Sequence, residues 1–165
     1  MSVSDSKISN ATRQMPLSGH TGTISLNEVV KESLEKIHSR HKNVDVIVRF
    51  ENLPFAFGKR EELLQLFDLM LNSIFKSTSS GTKLFLFIDC IEAGKENGSV
   101  VDSTERDLFQ IRFHTNIKCH DKWRSENEPA LATCTEIISN HNGTFVVSDS
   151  NTSGCLFTIT VPGKL

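Results

Sequence analysis

Apolar residues recur along this chain with two periods, and the switches between them mark the elements. Leu26, Val29, Val30, Leu34 and Ile37 follow at helical spacing behind Ser25, which can cap with Glu28 as its capping-box partner. A first amphipathic helix is predicted there, with order starting near Ile24. Val44, Val46, Val48 and Phe50 alternate with Asp45 and Arg49, the mark of a half-buried strand, and ENLPFAFG closes it with Pro and Gly. A second helix is predicted from about Lys59 to Ser77. KLFLFIDCI (83–91) is apolar without a break and predicts a central strand, while Leu108 to His114 alternates with Phe109, Ile111 and Phe113 on one face. Between them lies a polar connection holding Asn97-Gly98, a hairpin turn signal. TNIKCHDKWRSENEP (115–129) has no clear period and reads as an irregular surface excursion. From Ala130, the residues Leu131, Cys134, Ile137 and Ile138 predict a third helix that stops at NHNG, with Gly143 as its left-handed C-terminal residue. TFVVSD and CLFTITVP are the closing strands, around the turn-rich SNTSG.

The order α-β-α-β-β-α-β-β predicts a two-layer α/β sandwich, a mixed and largely antiparallel sheet with helices packed on one face. Residues 1–22, rich in Ser, Thr, Asn and Gly, are predicted to be a flexible leader or linker remnant, and 23–165 one domain. No internal repeat is visible.

Composition narrows the function. With 165 residues, 38% hydrophobic content and a formal charge of -2, the chain can bury a core but offers no basic face, which argues against nucleic acid as a partner. No apolar run spans a bilayer and the polar start lacks a signal-peptide core, so no membrane contact and a cytoplasmic setting are expected. The triplets headed by Asn10, Asn97, Asn142 and Asn151 are then not glycosylation sites. Cys90, Cys119, Cys134 and Cys155 lack C-x-x-C spacing and read as core thiols.

The second helix raises a sharper question. Leu63, Leu64, Leu66, Phe67, Leu69, Met70, Leu71, Ile74 and Phe75 cover most of its surface, yet Gln65, Asp68, Asn72 and Lys76 fall on one narrow side at spacings of three or four. That stripe faces water, a cleft or a partner. One reading is a solvent edge in which Asp68 or Asn72 contacts Lys76. The other is a nucleotide site, since carboxylate and amide oxygens are hard ligands for Mg²⁺ and a lysine one turn on can meet phosphate.

GKREELLQLFDLMLNSIFKS (58–77) resembles the N-box segment of the ATP-binding domain of sensor histidine kinases, a GHKL or Bergerat-type ATPase. Gly58, Leu63, Gln65, Asn72, Ser73 and Lys76 fit its pattern, with one residue fewer between Gln65 and Asn72 than the family has. ISLNEVVKESL resembles the family's opening helix, ENLPFAFG the turn into the N-box helix, and LATCTEIISNHNGTFVVSDSNTSGCLFTITVP the closing helix and two strands. The resemblance covers about residues 24 to 162.

Its departures carry the functional expectation. Where the family has D-x-G-x-G, whose acid reads adenine, this chain has His114, Thr115 and Asn116. The glycines of the phosphate-binding G-x-G-L fall on Glu128 and Ala130, with Pro129 between and Leu131 on the leucine. Proline removes a backbone donor and Glu128 sets a negative charge beside phosphate. Asp68 stands for the first N-box asparagine and Lys59 for an aspartate. The resemblance therefore implies a degenerate ATPase-like module of a histidine-kinase signalling protein, without ordinary ATP turnover and with no cofactor expected. It would dock a protein partner, a response regulator or a kinase dimerisation and phosphoacceptor domain. Its vestigial nucleotide cleft would be marked by Asn72, Lys76 and Asp68. The alternative is a divergent working kinase using Mg-ATP, with Asn72 on Mg²⁺, Lys76 on phosphate, and Asp68 or Asp89 reading adenine. No phosphoacceptor hairpin is legible before residue 24, and His38, His41, His114, His120 and His141 read as surface or structural residues. Trp123 is expected to cover the cleft of its own domain. No G-x-S-x-G or H-E-x-x-H motif suggests an independent hydrolase.

Overall fold

A computed structural model describes residues 22–78, 81–95, 107–150 and 154–165. In chain order the elements are β1 (Gly22–Ser25), α1 (Leu26–Arg40), β2 (Asp45–Phe50), β3 (Phe55–Gly58), α2 (Arg60–Lys76), β4 (Lys83–Lys95), β5 (Asp107–Thr115), α3 (Asp121–Ser139), β6 (Thr144–Ser150) and β7 (Gly154–Lys164). The expected leader, the Asn97-Gly98 turn and most of SNTSG lie outside the described residues.

The strands form one seven-stranded sheet in the order β1-β3-β7-β5-β4-β2, with β6 also on β7. Among the described residues only β2 and β4 run parallel; the other pairs are antiparallel. Strand alternation sends Leu84, Leu86 and Ile88 of β4, Phe109, Ile111 and Phe113 of β5, and Phe157, Ile159 and Val161 of β7 to one face, where all are buried. The helices cover that face, with α2 in the middle, packed against α1 on one side and α3 on the other. This accounts for a helix that is apolar nearly all round. Phe67 of α2 meets Phe113 of the sheet at 5.9 Å between ring centroids. The other sheet face is open, and Ile47, Phe85 and Ile91 are exposed there.

The expected sandwich is therefore present, with three local differences. Two short strands were not expected: β1 precedes the first helix, and β3 lies within ENLPFAFG, which reads as a turn. They were illegible because four-residue strands carry no period, and pairing with each other and with β7 defines them. Helix α3 starts at Asp121, nine residues before Ala130, and runs through the expected surface excursion. It passes Pro129, whose missing N–H removes one helical hydrogen bond. At its end the left-handed residue is Asn142 (φ 61°), not Gly143. Gly143 is needed for close approach instead, because a Cβ there would collide with the carbonyl of Thr160 on β7.

The cysteines also depart from the reading as four core thiols. Cys119 and Cys155 form a disulfide between the segment before α3 and the start of β7. Cys90 and Cys134 are free. Burial raises both thiols, Cys90 to about 11 with Asp89 adding to the effect, and Cys134 to about 12. Thiols held that high are poor nucleophiles at neutral pH.

Candidate functional site

The polar stripe of α2 faces α1. The Asp68 carboxylate accepts from Ser33 Oγ and from Lys36 Nζ, each at 2.6 Å. Asn72 Oδ1 lies 2.9 Å from His41 Nε2, just past the end of α1. An uninterrupted α-helix allows nothing else: residues four apart share a side, and α1 covers the side that carries Asp68 and Asn72. The pair that solvent exposure would have linked to Lys76 finds its partners across the helix interface. Lys76 itself is exposed in the last turn of α2.

The opposite side of α2 meets α3. Ser73, one residue past Asn72, is buried there, and its carbonyl accepts from Ser77 Oγ at 2.5 Å. Ser77 Oγ in turn accepts the indole Nε1–H of Trp123, and that ring stands edge-on to Phe157 at 5.8 Å. Trp123 sits in the first turn of α3, 5% exposed, so the side chain expected to cover the cleft is part of a helix and packs between α2 and α3. His120 caps this helix, its Nδ1 accepting from the Trp123 N–H at 3.2 Å. The capped tautomer leaves the proton on Nε2.

The residues at the end of β5 are occupied elsewhere. His114 points to the open sheet face, 3.3 Å from Asp89 Oδ1 and stacked on Phe87. Arg112 grips the same carboxylate with two bonds of 2.9 and 2.7 Å. Burial pushes the Asp89 carboxyl up, but Arg112 and then His114 outweigh it and hold the group below its ordinary value. Thr115 Oγ1 donates to the Cys155 carbonyl, and Asn116 bridges the Phe85 N–H and the Lys83 carbonyl. Glu128 and Leu131 line a 430 Å³ cavity between α3 and β6, away from α2. At the other end of α3 His141 is buried, its Nδ1–H donating to the Ile137 carbonyl and its Nε2 accepting from the Lys59 N–H at 3.1 Å. Because two bonds pin this ring, a Cβ on Gly58 would fall on it with nowhere for it to move. Gly58→Ala is expected to lower stability by about 2 kcal/mol, as overpacking does. An unfolding midpoint in urea indistinguishable from the parent's would contradict this.

A hollow of about 670 Å³ opens where α2 ends and α3 begins, and Lys76, Lys118, His120, Lys122 and Asn127 line it. Among the described residues no three His, Cys, Asp or Glu side chains converge as metal ligands, and no helix is long and apolar enough to cross a membrane.

No protein-family profile matches the sequence, and no curated protein matches it. Solved structures do match. The ATP-binding domain of PrrB from Mycobacterium tuberculosis superposes with a TM-score of 0.64 over 88% of this chain and 98% of its own, at 12% identity. The mycobacterial sensor histidine kinase MprB gives 0.63 over 89% and 99%, at 14% identity. The catalytic domain of the histidine kinase ThkA gives 0.62 over 87% and 96%, at 15% identity. This chain has the fold of the histidine-kinase ATP-binding domain. At such low identity the likeness concerns the fold, and the chemistry must be argued from this chain's own side chains.

Of the three residues marked from sequence, Asp68 and Asn72 belong to the α1–α2 interface, and Lys76 stands between two hollows, one at the end of α1 that His41 also lines and one between α2 and α3. Sequence reading missed Lys118, Lys122 and Asn127, which lie in a stretch without apolar period. The one signal available was Lys122 with Glu126, an i,i+4 pair of helical spacing at 3.9 Å.

Proposed function

We propose that this chain is a histidine-kinase-type signalling module that keeps the ATPase sandwich, has lost Mg-nucleotide chemistry, and works by docking a protein partner. A response regulator or a kinase dimerisation and phosphoacceptor domain, met in the cytoplasm, is the partner class this reading favours. The observation that carries it is the unbroken α3 from Asp121, which puts Trp123 against Ser77 and leaves Glu128, Pro129 and Ala130 in mid-helix. Backbone N–H groups cradle phosphate only at a helix start or in a loop, so residues 128–131 have none to offer. His114, Thr115 and Asn116 are each bonded within the fold, and none of the three is an acid that could read adenine. Asp68 and Asn72 would have to release Lys36 and His41 to reach an ion.

The open hollow beside Lys76 favours one alternative, a divergent kinase that binds Mg-ATP and transfers phosphate to a histidine on a separate helical hairpin. Asn72 would then ligate Mg²⁺. The two readings part in a thermal-shift titration with Mg-ATP and Mg-ADP against EDTA controls. A ligand at one hundred times its dissociation constant stabilises a fold by about 2.7 kcal/mol, several degrees here. No shift is expected. A shift that disappears in Asn72→Ala would establish the kinase instead.

A further inference from the structure

The sheet ends on β2, and among the described residues that strand has one neighbour, β4. The Glu51 N–H donates to the Ile88 carbonyl of β4 at 2.9 Å. Backbone polar groups alternate sides along a strand, so those of Arg49 and Ile47 also turn to β4, and those of Val46, Val48 and Phe50 turn away from the sheet. Such an edge is a template for another strand unless proline, a bulge or lysine blunts it. In β2, DVIVRF, there is no proline and no lysine, and its register with β4 is unbroken. Its side chains alternate as well. Val46, Val48 and Phe50 lie beside Leu84, Leu86 and Ile88 on the helix-covered face, and Asp45, Ile47 and Arg49 lie on the open one. Ile47 is 44% exposed and Val48 38%, so the edge shows an apolar side chain to each side of the sheet.

We infer that β2 pairs antiparallel with β2 of a second copy of this chain, about a two-fold axis at Ile47, so that two sheets become one. Charge and face fix the register. With Ile47 opposite Ile47 of the second copy, Asp45 stands opposite Arg49 on both sides of the axis, and Val46 opposite Val48 on the helix-covered face. The Ile47 and Asp45–Arg49 pairs are then the non-hydrogen-bonded ones, whose side chains come closest, while Val46 and Val48 exchange their outward N–H···O bonds. A slip of one residue would oppose a helix-side residue to an open-face one, which the pleat forbids. A slip of two sets Asp45 against Glu51, acid on acid, or leaves Arg49 against Asn43. Asp45 keeps its contact with Lys83 Nζ at 3.7 Å, and Arg49 its place over the Phe87 ring at 5.3 Å, because both neighbours are on β4, away from the new strand. Phe85, 51% exposed, is in register with Ile47, so the two copies join their apolar stripes on the open face. A two-fold contact of this kind closes on itself and stops at a dimer. One short edge buries less than a standard interface, so dissociation in the micromolar range is expected. The inference stands apart from the docking reading above, which concerns a different partner.

Sedimentation equilibrium of the whole chain from low to high micromolar concentration tests it, and a reversible monomer–dimer equilibrium is expected. Asp45→Arg and Arg49→Asp each set like charges together on both sides of the axis, and each alone should weaken the dimer about tenfold or more. Ile47→Lys, which brings two ammonium groups together on the axis, should do the same. All three positions are exposed, so the fold is retained and urea unfolding of each variant should match the parent's. An equimolar mixture of Asp45→Arg with Arg49→Asp should recover the parent's affinity as a heterodimer, since every facing pair is again of opposite charge; mixing repairs neither a folding defect nor a contact elsewhere on the surface. A chain that stays monomeric throughout, a dimer indifferent to all three substitutions, or single variants that remain apart when mixed overturns the inference.

Discussion

Replacing Cys119 and Cys155 together by alanine lowers the stability of the domain by about 4 kcal/mol, the loop-closure entropy that a cross-link over 36 residues removes from the unfolded chain. For a chain of this size that is a fall in melting temperature on the order of 10 °C. The same loss should follow when the parent protein is unfolded in excess reductant, because reduction removes the same constraint. Native contacts do not vanish with the bond: the Cys155 N–H still donates to the Ile117 carbonyl at 2.8 Å and Thr115 still bonds the Cys155 carbonyl. The fold should therefore survive with a lower midpoint rather than collapse. A parent protein whose midpoint ignores reductant, and whose unfolded form titrates four thiols without it, would show that the link does not form. In the intact protein only Cys90 and Cys134 remain as thiols. Their raised values predict slow labelling until unfolding exposes them.

Trp123→Ala should cost about 3 kcal/mol, at the lower end for deleting a large buried ring. Three attachments go at once: the edge-on contact with Phe157, the indole bond to Ser77, and the volume that fills the gap between α2 and α3. Trp123→Phe keeps the ring and loses only the N–H, so about 1 kcal/mol is expected from it. The ordering of the two variants is the discriminating result. If alanine and phenylalanine are equally mild in urea unfolding, the indole does not hold α2 and α3 together as its contacts imply. Trp123 is the only tryptophan in the chain, so its fluorescence should move to longer wavelength on unfolding of the parent and report that packing directly.

How far the sequence could be read depended on how local each cause was. Ser25 capping α1 was legible because the cap and its target, the Glu28 N–H, are three residues apart. The alternation of Phe109, Ile111 and Phe113 was legible because a strand with one covered face repeats every second residue. The start of α3 was not: Asp121 to Pro129 lacks an apolar stripe and contains a proline, and only Trp123 and Asn127 of that stretch are buried. That first half of α3 is helical because it packs on Phe157, Ser77 and Val147, the last through Arg124 Nη2 at 2.9 Å. Propensity alone is a weak prior there.

The stripe of α2 marks the same boundary more sharply. The sequence by itself determined that Asp68, Asn72 and Lys76 share one side of an otherwise apolar helix, because 3.6 residues per turn leaves no freedom in that. It also determined the sandwich class, through the alternation of helix-period and strand-period segments. What stands opposite that side was decided only when α1 packed beside α2 and brought Ser33, Lys36 and His41, from 31 to 35 residues away, against it. The disulfide over 36 residues and the lysine-lined hollow were decided the same way. A helix period states which side chains travel together, whereas their partners depend on how distant segments pack, a choice made by burying the most apolar surface across the whole chain.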